Sequence, residues 1–499
     1  MDTTFDALLV RMRELRDLGG LIGLASWDQE TYLPPKAAEA RAQQLSTLQG
    51  LHHERLVDPR LGEWLAWTQG RTDLTDDQLA MARVLTWERD RAAKVPRALV
   101  QALAEAQSRG QHAWREARKQ RRFDVFKPAL ARLLALRREQ ADAYGHEGER
   151  YDALLEGFEP GMRVARLGPV LSGLRETLVT LVGRLQAAPR QPVDVLHGKR
   201  FDPDVQWKLS LRLLEDMGFD LEAGRQDKSI HPFSSGLHPT DVRLTTDLDP
   251  DSLGGLFSSL HEGGHGLYEQ GFHPEHARTP LANAPSMGLH EAQSRLWENL
   301  VGRGRPFWTH YFPLLREAFP EALGGLDLEA FLGGINRVTP SLIRVDADEV
   351  TYNLHIVLRY ELELLLIRDE LPLDDLPAAW NERMQRFLGV QPPDDVQGVL
   401  QDIHWAWGEF GYFPTYALGN LYAASLYTTA RRALPGLEAG LARGELRPLR
   451  DWLRTHIHAE GYRLPAEERV RQVTGEGLTE DDFLAYLRAK YGALYGVKL

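Results

Sequence analysis

The chain of 499 residues contains no cysteine. Disulfides and thiolate metal ligands are thereby excluded, so any metal must be held by His, Asp or Glu, and a reducing, cytoplasmic setting is expected. A basic stripe and a basic amphipathic helix are also missing, and the formal net charge is −12 with a pI near 5.8. Neither nucleic acid nor a membrane surface is an expected partner. The length would allow two or three domains, but no Pro/Gly/Ser linker, low-complexity tract or internal repeat divides the chain. One large helical body is therefore favoured. The first turns carry Asp2, Asp6, Arg11, Arg13 and Glu14, a pattern expected of neither a signal peptide nor a membrane anchor.

Strand signals are nearly absent before residue 190. Apolar residues there recur at helical spacing, as in Leu8, Val10, Met12 and Leu15 or Leu130, Leu133, Leu134 and Leu136. Short strands are predicted at Val193 to Leu196 and Val242 to Thr246, separated by turn-rich sequence around His231, Pro232 and Gly236. Beyond them helices resume, with starts predicted at Ser286, near Asp346 and at Asp394 or Asp395, and stops at Gly302, near Pro372 and at Gly411. The expected fold is mainly α with a small sheet. A single unit over 1–499 divides into a helical part to about 190, a core over about 191–430 and C-terminal helices over 431–499.

The chemistry concentrates in His261, Glu262, Gly263, Gly264 and His265. Two histidines four apart share one helical face, so both imidazoles can reach one zinc ion while the glutamate stands beside the metal-bound water. Asp249 is a candidate N-cap with Pro250 as first helical residue, and Leu253, Leu256, Phe257, Leu260 and Leu267 continue the periodicity to Gly271. Gly263, Gly264 and Gly266 each cost a helix about 1 kcal/mol relative to alanine, so their cluster implies close approach of substrate or another helix.

A catalytic zinc needs a third protein ligand. Glu269 lies two turns from His261 and is placed in the outer surroundings, while Glu275 and His276 fall in a loop that would hold a ligand poorly. Glu291 sits on a helix that Ser286 can cap, where it could instead form an i,i+4 pair with Arg295. His290 competes with it. Zinc lowers the pKa of its water towards about 7, and Glu262 can accept that proton and pass it to the leaving amine. His404, Tyr412 and Tyr416 are candidates to stabilise the tetrahedral oxygen. An exopeptidase that removes C-terminal residues would also need a cation for the terminal carboxylate, and Arg344 and Arg243 are the candidates.

Six segments in order resemble the carboxypeptidase Taq family of metallocarboxypeptidases. They are HPF at His231 to Phe233, DVRLT at Asp241 to Thr245, HEGGH, HEAQ at His290 to Gln293, IRVDAD at Ile343 to Asp348 and GVLQDIHW at Gly398 to Trp405. SWDQETYLPP at Ser26 to Pro35 is similar too, so the likeness spans almost the whole chain; Ala292 departs from the family's serine or glycine. The resemblance implies zinc, or cobalt, on His261, His265 and Glu291, with Glu262 as general base and acid. It further implies a carboxypeptidase of broad specificity acting on peptides with a free C-terminus, a deep groove and a homodimer. The HPF motif adds His231 to Arg344 and Arg243 as substrate-binding candidates. A related helical oligopeptidase or dipeptidyl carboxypeptidase, and a helical scaffold without catalysis, are the competing readings.

Overall fold

A computed structural model describes residues 3–499, so of the N-terminal charges Asp2 lies outside it. The chain is 67% helical, with 21 α-helices and one three-stranded sheet among the described residues. No helix among them is long and apolar enough to cross a membrane.

Helix α1 (Thr3–Thr31) buries Phe5, Leu8, Met12 and Leu15 against Leu61, Leu65 and Leu85 in a small core of its own. Val10 stands 64% exposed, because position i+2 points away from the stripe set by Leu8, Met12 and Leu15. Helix α2 (Ala38–Leu56) packs on α1 yet buries only Leu56. The main core is continuous from Ala117 to Tyr495.

The sheet has the order β1 (Gly224–Lys228), β3 (Asp241–Thr246), β2 (Ser234–His238), with β1 parallel and β2 antiparallel to β3. Val242 and Leu244 of β3 are fully buried, which seats the sheet on helix α3 (Gly254–Glu269). The expected strand at Val242 was present, whereas Val193 to Leu196 has no strand partner: Val193 is 69% exposed and the Asp194 carboxylate turns back to the His197 amide at 3.1 Å. Gly236, read as turn, lies inside β2 beside a bulge.

Helix α3 starts four residues later than the Asp249–Pro250 signal, at Gly254 after Leu253 as N-cap. The carbonyls a helix would need there are already used: Asp249 O accepts from the Gln206 amide at 2.9 Å and Pro250 O from Phe201 N at 2.8 Å. Its C-terminal end falls at Glu269, two residues before Gly271. Ser286 does cap helix α4 (Met287–Arg295), its hydroxyl accepting from Leu289 N at 3.0 Å, and Gly302 does close the π-helical turn Leu296–Val301 that follows. Near Asp346 only a 3-10 turn forms. Helix α5 (Tyr352–Arg368) begins after Asp348, whose carboxylate takes the amides of Val350 and Thr351. Asp394 and Asp395 start no helix, because Asp395 caps Phe123 N at 2.8 Å instead; Gly411 precedes helix α6 (Phe413–Ala433).

Candidate metal centre

The period of α3 brings the rings of His261 and His265 onto one face, 5.0 Å apart between centroids. What turns that pair into a pocket is the close approach of α4. A Cβ on Gly264 would lie 2.5 Å from Gln293 O and 2.7 Å from the Ser294 Cα, so α4 can cross there only because the residue is glycine. Gly263 makes room for Leu214 and Met217, and Gly266 for Phe219 and Leu244. All three glycines therefore serve packing. On the far side of α4, Gly419 of α6 leaves space for Glu291, whose Cγ would be 2.4 Å from a Cβ there.

The crossing directs Glu291, not its neighbour His290, into the cluster. Glu291 Oε2 lies 3.6 Å from His261 Nε2 and 3.4 Å from His265 Nε2, and one donor atom from each of the three lies within 4.8 Å of the others. Nearest-neighbour separations near 3.5 Å are what three tetrahedral ligands at about 2.0–2.2 Å from a zinc ion would show. The donor set, two imidazoles and a carboxylate, thus fits a divalent metal. Each imidazole is held from behind, as metal-binding histidines usually are. His261 Nδ1 lies 2.9 Å from Glu298 Oε2, and His265 Nδ1 lies 2.6 Å from His290 Nδ1. Glu298 reaches inward from the π-helical turn, a device common at functional sites. Glu275 and His276 stay outside the cluster, His276 being buried towards Asp77.

Arg295 donates to Glu291 Oε1 at 2.6 Å. The i,i+4 pair and the cluster thus coexist, in a buried setting rather than on a surface. Burial opposes ionisation of Glu291, but Arg295 and the two histidines override it and hold its carboxyl well below the usual range. Glu298 is likewise kept down at about 2, burial being outweighed by His261, Arg295 and Arg303. Glu262 behaves oppositely. Burial pushes it up to about 7, with His261 opposing and Glu291 assisting. Neutral His265, lowered to about 3 by burial and then by His290, is ready to act as a ligand.

A cavity of about 640 Å³ opens beside the cluster, lined by His261, Glu291, Arg295, Arg344, Tyr352 and Tyr416 among others. Arg344 is buried and bound to Asp402, which also takes Arg359 at 2.5 Å, so two guanidiniums share one carboxylate. That leaves this trio with one positive charge in excess, and Arg344 is its member that lines the cavity. Tyr416 reaches the cavity with its hydroxyl 3.2 Å from His404 Nε2; His404 and Tyr412 stand behind it, their ring centroids 6.1 and 5.2 Å from the Tyr416 ring. Burial lowers His404 to about 4 and raises both tyrosines, leaving a neutral imidazole and protonated phenols at neutral pH.

Two sequence candidates lie elsewhere. Arg243 pairs with Asp241 at 2.9 Å, covers the Trp27 ring at 4.3 Å and lines a different cavity, between α1 and α2. His231 is exposed beside Pro232, and only the proline reaches the metal-side cavity. Conversely Glu298, Tyr352, Asp402 and Arg359 were not singled out, and Arg295 was expected only as an i,i+4 partner of Glu291. The available signal was charge on otherwise apolar helical faces: Arg359 is fully buried within α5.

Glu159 holds the start of α4, accepting from Gly288 N at 3.0 Å and from Ser286. Burial pushes its carboxyl up to about 8. The folded state therefore keeps a proton that the unfolded chain loses near pH 4.5, so this residue's contribution falls as pH rises from about 4.5 to about 8. Glu159→Gln is expected to flatten that loss: between about pH 5 and about pH 9 its melting temperature should drop less than the wild type's. Equal drops would show that Glu159 ionises as it does in the unfolded chain.

The sequence model described as "Carboxypeptidase Taq (M32) metallopeptidase" matches residues 7–491. The chain is 47% identical to thermostable carboxypeptidase 1 of Thermus thermophilus over 99% of both chains, and 37% identical to carboxypeptidase 1 of Bacillus subtilis over 95% of both. Among solved structures it is similar to the M32 carboxypeptidase of Deinococcus radiodurans, with TM-score 0.97 and 40% identity over 99% of this chain and 100% of that one. The Pyrococcus furiosus carboxypeptidase follows with TM-score 0.95 and 33% identity over 98% and 99%. A divalent metal is implied by the family, and the cluster described above suits it. The chain belongs to the carboxypeptidase Taq (M32) family and is a metal-dependent carboxypeptidase, a peptide hydrolase.

Proposed function

We propose that the enzyme removes single C-terminal residues from peptides with broad specificity, working in the cytoplasm as a homodimer whose chain, 1–499, is one catalytic unit. The observation that carries this reading is the meeting of His261, His265 and Glu291 beside a cavity whose wall holds Arg344. These three residues would hold zinc, with cobalt as the alternative, and a metal there supplies Lewis-acid polarisation and makes water more acidic.

Glu262 takes the proton of the attacking water and delivers it to the leaving amine. Burial raises the proton affinity of its carboxyl in the metal-free site, the direction that favours accepting a proton. Arg344 receives the terminal carboxylate, using the charge that Asp402 leaves uncompensated. Tyr416 donates to the tetrahedral oxygen: if the proton of neutral His404 is on Nε2 and faces the Tyr416 oxygen, the phenolic proton stays available to substrate. Tyr412 and His404 orient Tyr416. Arg243 and His231, which line no part of this cavity, are left without a role in carboxylate capture.

N-blocked peptides with a free C-terminus should release one residue at a time, with many different terminal side chains accepted, and the same peptides amidated at the C-terminus should be cleaved far more slowly. Product analysis by mass spectrometry checks both. Equal cleavage of free and amidated peptides would favour an oligopeptidase.

A further inference from the structure

His261 is backed by a carboxylate directly, but His265 is backed by another imidazole. The 2.6 Å between His265 Nδ1 and His290 Nδ1 is shorter than a van der Waals approach of about 3.5 Å, so the two rings are joined by a hydrogen bond between these nitrogens. With centroids 4.4 Å apart and planes inclined by 29°, the rings form a tilted stack whose Nδ1 atoms converge. The hydrogen-bond chain continues: His290 Nε2 lies 2.8 Å from Glu269 Oε1. Glu269 is the last residue of α3, and its carboxylate lies against β2 where residue 236 is glycine. A Cβ at Gly236 would come within 2.2 Å of Glu269 Oε2.

We propose that Glu269 and His290 form a two-member relay that orients His265 for the metal, Glu269 acting as a positioning residue through the imidazole of His290. The relay determines every proton in it. His265 Nε2 faces Glu291 and must be bare to bind a metal, so its proton is on Nδ1 and is donated to His290 Nδ1. His290 then carries its own proton on Nε2 and donates it to Glu269. Glu269 thus selects the tautomer of His290, which selects the tautomer and ring angle of His265. Without the carboxylate, His290 can carry its proton on Nδ1 instead, and His265 then loses its acceptor. The bead between ligand and carboxylate also lets Glu269 act from the far end of α3, where it lines a separate cavity of about 630 Å³ between α1 and β2.

This inference rests on the proposal that His261, His265 and Glu291 hold the metal. Its test is zinc affinity, measured by competition with a chelator on the full chain, together with the visible spectrum of the cobalt-loaded protein and the melting temperature of the metal-free one. Loss of an outer partner typically weakens metal binding by about 10- to 100-fold. Glu269→Gln, which keeps shape and loses charge, is expected near the low end and His290→Ala near the high end, with altered cobalt spectra and unchanged metal-free melting. Gly236→Ala, which pushes the carboxylate away, should act in the same direction as Glu269→Gln. In the double variant Glu269→Gln/His290→Ala the losses should not add, since both act through one path. Wild-type affinity and an unchanged cobalt spectrum in Glu269→Gln would overturn the relay, as would additive losses. If the wild-type chain itself takes up no stoichiometric metal, the ligand assignment fails instead, so the two failures are distinguishable.

Discussion

Glu262→Gln is expected to lower turnover by about 10²-fold or more while the chain still binds one metal ion. The substitution keeps the size of a side chain that is only 6% exposed. It removes the one group on α3 placed next to His261 and able to carry a proton between water and leaving amine. The metal donors are untouched, because Glu262 is not among the three atoms that converge. Steady-state kinetics on an N-blocked peptide, paired with metal analysis of the same preparation, checks both halves. A variant that digests peptides as fast as wild type would remove Glu262 from the mechanism. Loss of metal along with activity would show that it acts on the site's integrity instead.

Arg344→Ala should reduce kcat/KM for peptides with a free C-terminus by about 2 to 5 kcal/mol, which is roughly 30- to several-thousand-fold. The size comes from burial. A carboxylate entering a wall from which water is largely excluded depends on its partner far more than one at the surface does. Asp402 keeps Arg359 as a partner at 2.5 Å after the change, so the variant does not leave a buried carboxylate wholly unpaired. Arg344 also touches the Tyr352 hydroxyl at 3.3 Å and could act by holding the wall in shape. Amidated peptides separate the two roles. A fall confined to free-acid substrates marks carboxylate capture, whereas equal falls for free-acid and amidated substrates would assign Arg344 to the wall.

Much of the site was legible because its nearest parts are local. The spacing of His261 and His265 sets both on one face of any helix, and Glu262 beside them follows from the same period. Ser286 could be read as the cap of α4 because capping involves only the next three residues. Legibility ended where a second element decides. Glu291 and His290 are consecutive, and both were open as ligands. Their assignment to cluster and relay depends on how α4 seats against Gly264. Asp249 and Pro250 carried a local start signal that lost to hydrogen bonds from Gln206 and Phe201, more than forty residues away in sequence. The strand expected at Val193 lacked a partner, while β1 and β2, with weak alternation of their own, gained one in β3.

The amino-acid sequence alone determined the chemical class of the centre: no cysteine, two histidines and a glutamate at helical spacing, and an ordered set of motifs that places the chain in a family of metallopeptidases. Those are properties of residue type and short-range period. Only the tertiary structure decided which arginine faces the cavity, since Arg344 and Arg243 are chemically identical and differ in the neighbours the fold gives them, Asp402 and Arg359 for one, Asp241 and Trp27 for the other. It alone placed Glu298 behind His261, and it linked Glu269, read from sequence only as an outer residue, to His265 through His290. Side chains that meet across helices are brought together by packing of glycine-lined faces, and no spacing within one helix contains that distance.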